Sequence, residues 1–200
     1  MKKLCSVLLA LGMLLALSGC GQASPTQTAD GQPWEDSWVQ IGGVLGAEEP
    51  GNGFTLLDNN DALSPMEMYY TTWTYGEPSA YTNEDGEETD LYDAQLYLLL
   101  DGCETPEEAE AEIADWLSRE KEQYTVTDAF TDTFGGQDYT CIVYQCGSDT
   151  NPYARGISAF GVYQNQAISV ELTCRDTYTG DEQAVLTAFL QGLHYSAVTE

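Results

Sequence analysis

The chain has 200 residues, 42% of them hydrophobic, which is enough apolar material for one packed domain and argues against a disordered chain. Its 33 acidic residues outnumber 6 basic ones and give a formal charge of -27. Because binding to phosphates needs clustered lysines and arginines, and no such cluster follows residue 3, this composition excludes nucleic acid as a partner.

The first 33 residues have the pattern of an export signal followed by a tether. Two lysines precede an uncharged apolar run from Leu4 to Leu17, which is typical of a secretory signal peptide and too short to span a membrane. The polar, Gly- and Pro-containing segment 21–33 offers nothing to bury. We therefore predict a signal peptide at 1–19, a flexible tether within 20–33 and a single folded domain at 34–200.

The end of the signal peptide carries a more specific pattern. The sequence Leu17-Ser18-Gly19-Cys20 resembles the lipobox of bacterial lipoproteins. This resemblance implies cleavage before Cys20 and attachment of a diacylglyceryl group to its thiol, and two acyl chains give stable anchoring. We expect a protein held by lipid on the outer, extracytoplasmic face of a bacterial cell membrane. A signal peptide that is simply cleaved, with a chance cysteine beside it, is the alternative.

The first half of the folded domain is predicted to be mostly β-structure. The Gly- and Pro-rich part up to Gly53 is expected to cover the core as a loop. Runs rich in aromatic, β-branched and apolar residues predict strands, whereas Gly, Asn and Asp clusters predict turns. The predicted order is a strand at 54–57, a turn at 58–61, a strand at 66–75, a loop or hairpin at 76–90 and a strand at 91–100.

The second half is predicted to hold two helices and two hairpins. Thr105 with Pro106 and Glu108 has the spacing of a helix start, and this helix should end near Glu122. One side of it presents Ala109, Ile113, Trp116, Leu117 and Glu120 at helical spacing. Hairpins are predicted at 124–146 and 157–174, and a second helix begins within 179–182 and ends before Gly192. The order indicates an α+β domain in which two helices cover one face of an antiparallel sheet.

Three segments support a resemblance to a known fold family. Segments 70–77, 91–100 and 167–174 are similar to uncharacterised lipoproteins of Firmicutes, and the order of elements resembles the PsbP-like α/β/α sandwich. The resemblance implies a fold and a location. It implies no activity.

One predicted strand carries a candidate ligand platform. Tyr69, Trp73 and Tyr75 alternate with other residues and therefore share one face of the strand. Exposed aromatic rings on one face bind sugars or peptides, whereas buried strands use the same residues for core packing. Both interpretations stay open at this point.

Four cysteines follow Cys20. Cys141 and Cys146 lie in one predicted strand and cannot bridge each other, which leaves two full pairings, Cys103–Cys141 with Cys146–Cys174 or Cys103–Cys146 with Cys141–Cys174. Free buried thiols are the competing interpretation. The spacing contains no C-x-x-C pair, and the acidic loop 83–90 lacks the oxygen ligands of an EF-hand, so we predict no metal site.

The sequence shows no catalytic constellation. His194 is the only histidine, and no G-x-S-x-G nucleophile motif accompanies it. We therefore predict a non-enzymatic binding or accessory module at the cell envelope, without a cofactor and with an unidentified protein, peptide or glycan partner. Two alternatives are an envelope hydrolase that uses a carboxylate pair and a surface protein that binds divalent cations.

Overall fold

The structure is a computed structural model that describes residues 25–60, 68–83, 86–147 and 151–197. The predicted signal peptide and the lipobox Leu17, Ser18, Gly19 and Cys20 lie outside the described residues. The first seven strands are β1 Val39–Ile41, β2 Leu45–Ala47, β3 Phe54–Asn60, β4 Met68–Tyr75, β5 Ser79–Thr82, β6 Glu88–Leu91 and β7 Ala94–Gly102. The remaining elements are α1 Pro106–Gln123, β8 Thr125–Phe134, β9 Gln137–Gln145, β10 Arg155–Tyr163, β11 Gln166–Cys174, α2 Glu182–Gln191 and β12 Leu193–Tyr195.

Seven strands form the central antiparallel sheet, in the order β3-β4-β7-β11-β10-β9-β8. Strands β1, β2 and β12 form a small second sheet, and β5 with β6 forms a separate hairpin. The prediction of an antiparallel sheet with two helices packed on it is confirmed. The two predicted hairpins are β8–β9 and β10–β11, which place β10 and β11 near the middle of the sheet.

The two helices pack against opposite faces of the sheet, so the prediction that both cover one face is wrong. Along β10, Ile157 and Ala159 belong to the large core cluster that also holds the buried side of α2. Their neighbours Phe160 and Val162 lie with Ala109 of α1 in a second, smaller cluster. Because side chains alternate between the faces of a strand, a sheet with two covered faces buries both sets.

Local differences from the predicted elements have simple causes. The predicted turn at 58–61 is in part strand, because β3 continues to Asn60 after a bulge between Leu56 and Asp58 and pairs with β4. The predicted cap Thr105 is confirmed, since its side chain accepts a hydrogen bond from the Glu108 backbone N–H. The second helix is capped by Asp181 and begins at Glu182, within the predicted range 179–182.

The segment before residue 34 differs from the predicted free tether. Thr28 is only 3% exposed. The Ala29 N–H donates to the Tyr195 carbonyl at 2.7 Å, and the Ala197 N–H donates to the Gln27 carbonyl at 3.0 Å. The part of the predicted tether from residue 27 onward is therefore attached to the C-terminal strand. Among the described residues, neither helix is long and apolar enough to cross a membrane.

Candidate functional site: a carboxyl pair beneath helix α1

The periodicity of α1 turns a glutamate toward the sheet. Ala109 and Ile113 are buried against the sheet, and Trp116 packs in the same cluster one turn later. Glu120 continues this row, since residues three and four apart lie on one face of a helix. Its carboxyl group is consequently directed at the sheet rather than at water.

The sheet supplies the second carboxyl group. Ser158 of β10, Glu171 of β11 and Tyr97 of β7 are direct neighbours in the register of the central strands. They lie on the face that α1 covers. Ser158 points to the same side of β10 as Phe160, and Glu171 points to the same side of β11 as Ala167. Phe160 and Ala167 pack in the cluster that contains the buried residues of α1. Glu171 therefore lies beneath the helix that carries Glu120.

A tyrosine from β9 reaches the second carboxyl group across a glycine. The Tyr144 hydroxyl donates to Glu171 Oε1 at 2.5 Å, although β10 separates the two strands. Gly156 of β10 pairs with Tyr144 in the register, two residues before Ser158, which pairs with Glu171; a Cβ at Gly156 would overlap the Tyr144 ring and hydroxyl. The absence of a side chain at Gly156 therefore makes room for this hydrogen bond. Tyr124 stacks on the same ring, with centroids 4.4 Å apart.

Glu120 is only half satisfied by its surroundings. Ser158 Oγ donates to Glu120 Oε1 at 3.2 Å. Glu120 Oε2 is buried and has no hydrogen-bond partner among the described residues. A buried acceptor without a partner costs about 1 to 3 kcal/mol. An unsatisfied carboxyl oxygen beside a cavity is the kind of group that a ligand would satisfy once the carboxyl group rotates toward it.

No positive charge of the described chain compensates the pair. Neither Glu120 nor Glu171 forms an ion pair among the described residues. Arg119 is next to Glu120 in sequence and also lines the cavity, but its guanidinium binds Asp115 at 2.9 Å and approaches Glu112 at 3.6 Å. The two carboxyl groups therefore face each other without a counterion.

This arrangement shifts the titration of both acids. Burial, with a further contribution from the neighbouring Glu171 carboxylate, raises the pKa of Glu120 to about 8, and the Ser158 hydrogen bond only partly opposes the rise. Burial also raises the pKa of Glu171, against the lowering effect of the Tyr144 hydrogen bond. At neutral pH the pair holds at least one proton, since two facing carboxylates in a poorly solvated site cannot both ionise at low cost.

The pair borders a cavity between the second half of α1 and the sheet. Its volume is about 310 Å³, within the usual range for small-molecule sites. Aromatic rings form much of the wall, and the two carboxyl groups are its acidic members. The rings are those of Tyr97, Trp116, Tyr124 and Phe160. Ser169 of β11 is buried in the wall of the cavity, and its small side chain does not fill the cavity.

The predicted aromatic platform lies on the other face of the sheet. Tyr69 is 6% exposed and Trp73 is fully buried, where its ring meets that of Phe189 from α2 at 5.0 Å. Tyr75 packs against the same core. The platform prediction is wrong because α2 covers this face, and core packing is the correct alternative. Tyr75 keeps some exposure, as do Tyr70 and Tyr97 on the opposite face, whose ring centroids are 5.9 Å apart on the side of the cavity.

The four described cysteines, Cys103, Cys141, Cys146 and Cys174, are free thiols. Cys141 and Cys174 lie in the large core, whereas Cys103 and Cys146 lie on the opposite face of the sheet, so the first predicted pairing is blocked. In the second, Cys103 and Cys146 follow strand ends about 30 Å apart, far beyond the reach of a disulfide. The sheet topology therefore contradicts both disulfide pairings.

Other sequence candidates do not reach the cavity. His194 stacks on Trp38 with centroids 3.8 Å apart, and its Nε2 lies 2.9 Å from Glu48 Oε1 beside the small sheet. Of the acidic loop 83–90, residues 84 and 85 lie outside the described residues. Within the described residues, no group of three or more His, Cys, Asp or Glu side chains is placed to hold a metal ion.

Sequence patterns did not indicate that Glu120 and Glu171 lie close together. Glu120 falls in the apolar row of its helix, and this position was the usable signal, since a charged residue on a buried face needs an explanation. Glu171 alternates with buried residues of β11 and has the pattern of a half-exposed strand. Only the topology shows that β11 is central and that α1 covers its second face.

Comparison with known proteins gives weak structural similarities. No protein-family model matches the chain, and no curated protein sequence is significantly similar to it. The cyanobacterial PsbP protein (CyanoP) of Synechocystis sp. PCC 6803 is 12% identical, with a TM-score of 0.46 over 90% of this chain and 99% of that one. A protein from Bacteroides thetaiotaomicron VPI-5482 is 10% identical, with a TM-score of 0.45, and this chain covers 48% of it. At TM-scores below 0.5 these similarities transfer no function to the chain.

Proposed function

We propose that this protein is a lipid-anchored extracytoplasmic binding protein whose ligand site is the cavity beneath α1. The observation that carries the proposal is the unsatisfied, buried Oε2 of Glu120 at the edge of an aromatic cavity that also contains Glu171. Such a cavity with a few convergent polar groups is the usual form of a small-molecule site. The proposal retains a PsbP-like domain in a Firmicutes-type lipoprotein, supported by the quoted sequence segments.

The energetics favour a ligand over a purely structural role. Two carboxyl groups without a counterion oppose folding, and Tyr144 and Ser158 offset this only in part. A core of similar shape built from apolar residues would avoid the cost. Retention of the pair at an open cavity is consistent with groups that are stabilised when something binds.

Binding can be tested with a panel of small molecules and a blocked cavity. We would measure the melting temperature of the purified protein with neutral sugars, amino acids, dicarboxylates and amines. A ligand at one hundred times its Kd adds about 2.7 kcal/mol and raises the melting temperature by about 5 to 10 °C for a domain of this size. Ser169→Phe, which fills the cavity, should abolish that rise. The proposal fails if no compound stabilises the protein or if the blocked variant responds equally.

The membrane anchor is a separate part of the proposal. It is supported by Leu17-Ser18-Gly19-Cys20 and by the apolar run before it. Cys20→Ala, or inhibition of lipoprotein signal peptidase with globomycin, should change processing, and the substitution should release the protein from the membrane fraction. Fractionation with the membrane after Cys20→Ala would contradict anchoring through this residue.

A carboxylate-pair hydrolase is a second candidate that one observation favours. Glu120 and Glu171 converge on one cavity and their pKa values are raised, as general acids require. Against this, a hydrolase also needs one carboxylate that stays ionised, and burial raises both pKa values. Assays on chromogenic glycosides with the native protein and with Glu120→Gln and Glu171→Gln distinguish a hydrolase from a binding protein. Hydrolysis by the native protein that is lost in both variants would show that the site is catalytic.

A further inference from the structure

We propose that the cavity binds a small organic cation, a protonated primary or secondary amine, with its ammonium N–H groups on the Glu120 carboxyl group and its apolar part against the rings of Trp116 and Tyr97. This inference rests on the proposed function and names the class of ligand for the same site. Three features of the cavity support it independently: the charge of the carboxyl pair, the aromatic walls and the carboxyl oxygen without a hydrogen-bond donor.

The charge of the pair favours a cation over a neutral or anionic ligand. Glu120 and Glu171 have no ion pair within the described residues, and Arg119, which lines the same cavity, is paired with Asp115 and Glu112 instead. An incoming positive charge would be the first counterion the two groups meet. The surrounding protein acts in the same direction, since a formal charge of -27 raises the local concentration of cations and repels anions.

The walls favour an organic cation over a metal ion. Calcium takes six to eight oxygen ligands, and magnesium requires octahedral oxygen coordination. Two carboxyl groups and the Ser158 hydroxyl are far fewer, and the opposite side of the cavity is aromatic. Aromatic faces attract ammonium groups and pack against hydrocarbon, but they do not replace the hydration shell of a hard ion.

The carboxyl oxygen without a hydrogen-bond donor favours an ammonium group that has N–H bonds to donate. Glu171 Oε1 already accepts from Tyr144, and Glu120 Oε1 accepts from Ser158. Glu120 Oε2 lacks a donor among the described residues and is closed to solvent, so a rotation of the carboxyl group must turn it toward the cavity before a ligand can bind it. An N–H from a protonated amine would complete this carboxylate with a charge-assisted hydrogen bond, which a quaternary ammonium cannot form.

Binding of a cation should release a proton from the pair. The charged or titratable groups that face Glu120 come from α1 and from the sheet. They are Arg119, Tyr124, Tyr97, Tyr144, Cys146 and Glu171. Burial raises the pKa of the tyrosines and of Cys146, so these groups keep their protons between pH 6 and 8. The proton displaced by an ammonium in this range therefore comes from the carboxyl pair.

The test compares an amine with its uncharged isostere on the full protein. Cyclohexylamine and cyclohexanol have nearly the same shape, and the amine stays protonated below pH 9, as lysine does. Calorimetric titration at pH 8 should show binding of the amine at least tenfold tighter than binding of the alcohol. The amine affinity should rise by up to tenfold per pH unit from 6 to 8, because one proton is displaced.

Variants assign the effect to the pair. Glu120→Gln keeps the shape of the side chain and should weaken amine binding at least tenfold, and Glu171→Gln should weaken it as well. Glu122→Gln, an exposed change on the same helix, should leave it unaltered. Ser169→Phe should block amine and alcohol alike.

Four results would overturn the inference. Equal affinity for the amine and the alcohol would show that the cavity binds small molecules without a preference for a cation. Displacement of the amine by micromolar calcium, with loss of calcium binding in Glu120→Gln, would make the site a metal site. Failure of every amine while a neutral sugar stabilises the native protein and not Ser169→Phe would retain the proposed function with another ligand class. If no panel compound stabilises the protein, the inference and the proposed function both fail.

Discussion

Replacement of Glu120 by glutamine should change the pH dependence of stability. The amide resembles the protonated carboxyl group in shape and has no charge, so it mimics the form that the folded protein holds below pH 8. We expect Glu120→Gln to have nearly native stability at pH 5. At pH 8 and above, where the native carboxyl group must either ionise in a buried site or retain its proton, the variant should be the more stable protein.

The magnitude follows from the pKa difference. In the unfolded chain this carboxyl group loses its proton near pH 4.5, and in the folded protein near pH 8. Between these values the folded state binds more protons, so stability falls as pH rises, by about 1.4 kcal/mol per pH unit for one group. After allowance for partial exposure, the interval amounts to about 3 to 5 kcal/mol. Below pH 4.5 and above pH 8 this contribution should be constant.

Urea unfolding of both proteins between pH 5 and 9 measures the effect. With a denaturant slope of about 1 to 3 kcal/mol/M, the difference between their midpoints should grow by about 1 to 5 M across this range. Glu122→Gln serves as the control, because this residue is exposed on the same helix and carries the same charge change. If Glu120→Gln alters stability by the same amount at pH 5 and at pH 8, the carboxyl group is not buried as described and the reasoning is refuted.

Other consequences of the structure are testable by simple substitutions. Trp73→Ala should destabilise the protein by about 3 to 5 kcal/mol in urea unfolding, because the ring is fully buried, while Tyr70→Ala on the opposite face should cost clearly less; equal costs would contradict the assignment of faces. Cys141 and Cys174 should not react with a thiol reagent until the protein unfolds, and rapid reaction in the native state would argue against their burial. Arg155→Gln should cost about 1.5 to 3 kcal/mol by thermal or urea unfolding, because its guanidinium binds the first turn of α2 and two carbonyl groups; a cost below about 0.5 kcal/mol would show that this network contributes little.

Local sequence signals predicted the secondary structure well because each had a local cause. The Thr105 cap and the glycines at the β8–β9 turn act through their own backbone geometry, and the structure has the helix and hairpin where they indicate. The small sheet was missed because its strands have only three residues each and because β12 joins β2 from the far end of the chain. Such pairing leaves no pattern in a short window.

The candidate site depended on information that alternation alone does not contain. Both faces of β4 carry aromatic residues, with Tyr69, Trp73 and Tyr75 on one face and Tyr70 on the other. The sequence does not show which face is buried, whereas the structure shows α2 packed on the face of Trp73. Glu171 likewise looks solvent-facing until β11 is known to be central. Glu120 is the exception, since its place in the apolar row of α1 was visible in the sequence and only its partner was not.

The most direct test of the account is the titration of the carboxyl pair itself. Carbon-13 NMR of the glutamate side-chain carboxyl groups can follow each residue from pH 4 to 9, with Glu120→Gln to assign the key resonance. The account predicts one resonance that titrates near pH 8 in the free protein, disappears in Glu120→Gln and shifts to lower pH when cyclohexylamine is added. Titration of every glutamate below pH 6, with no effect of the amine, would contradict the claim that Glu120 and Glu171 form a buried, cation-binding pair.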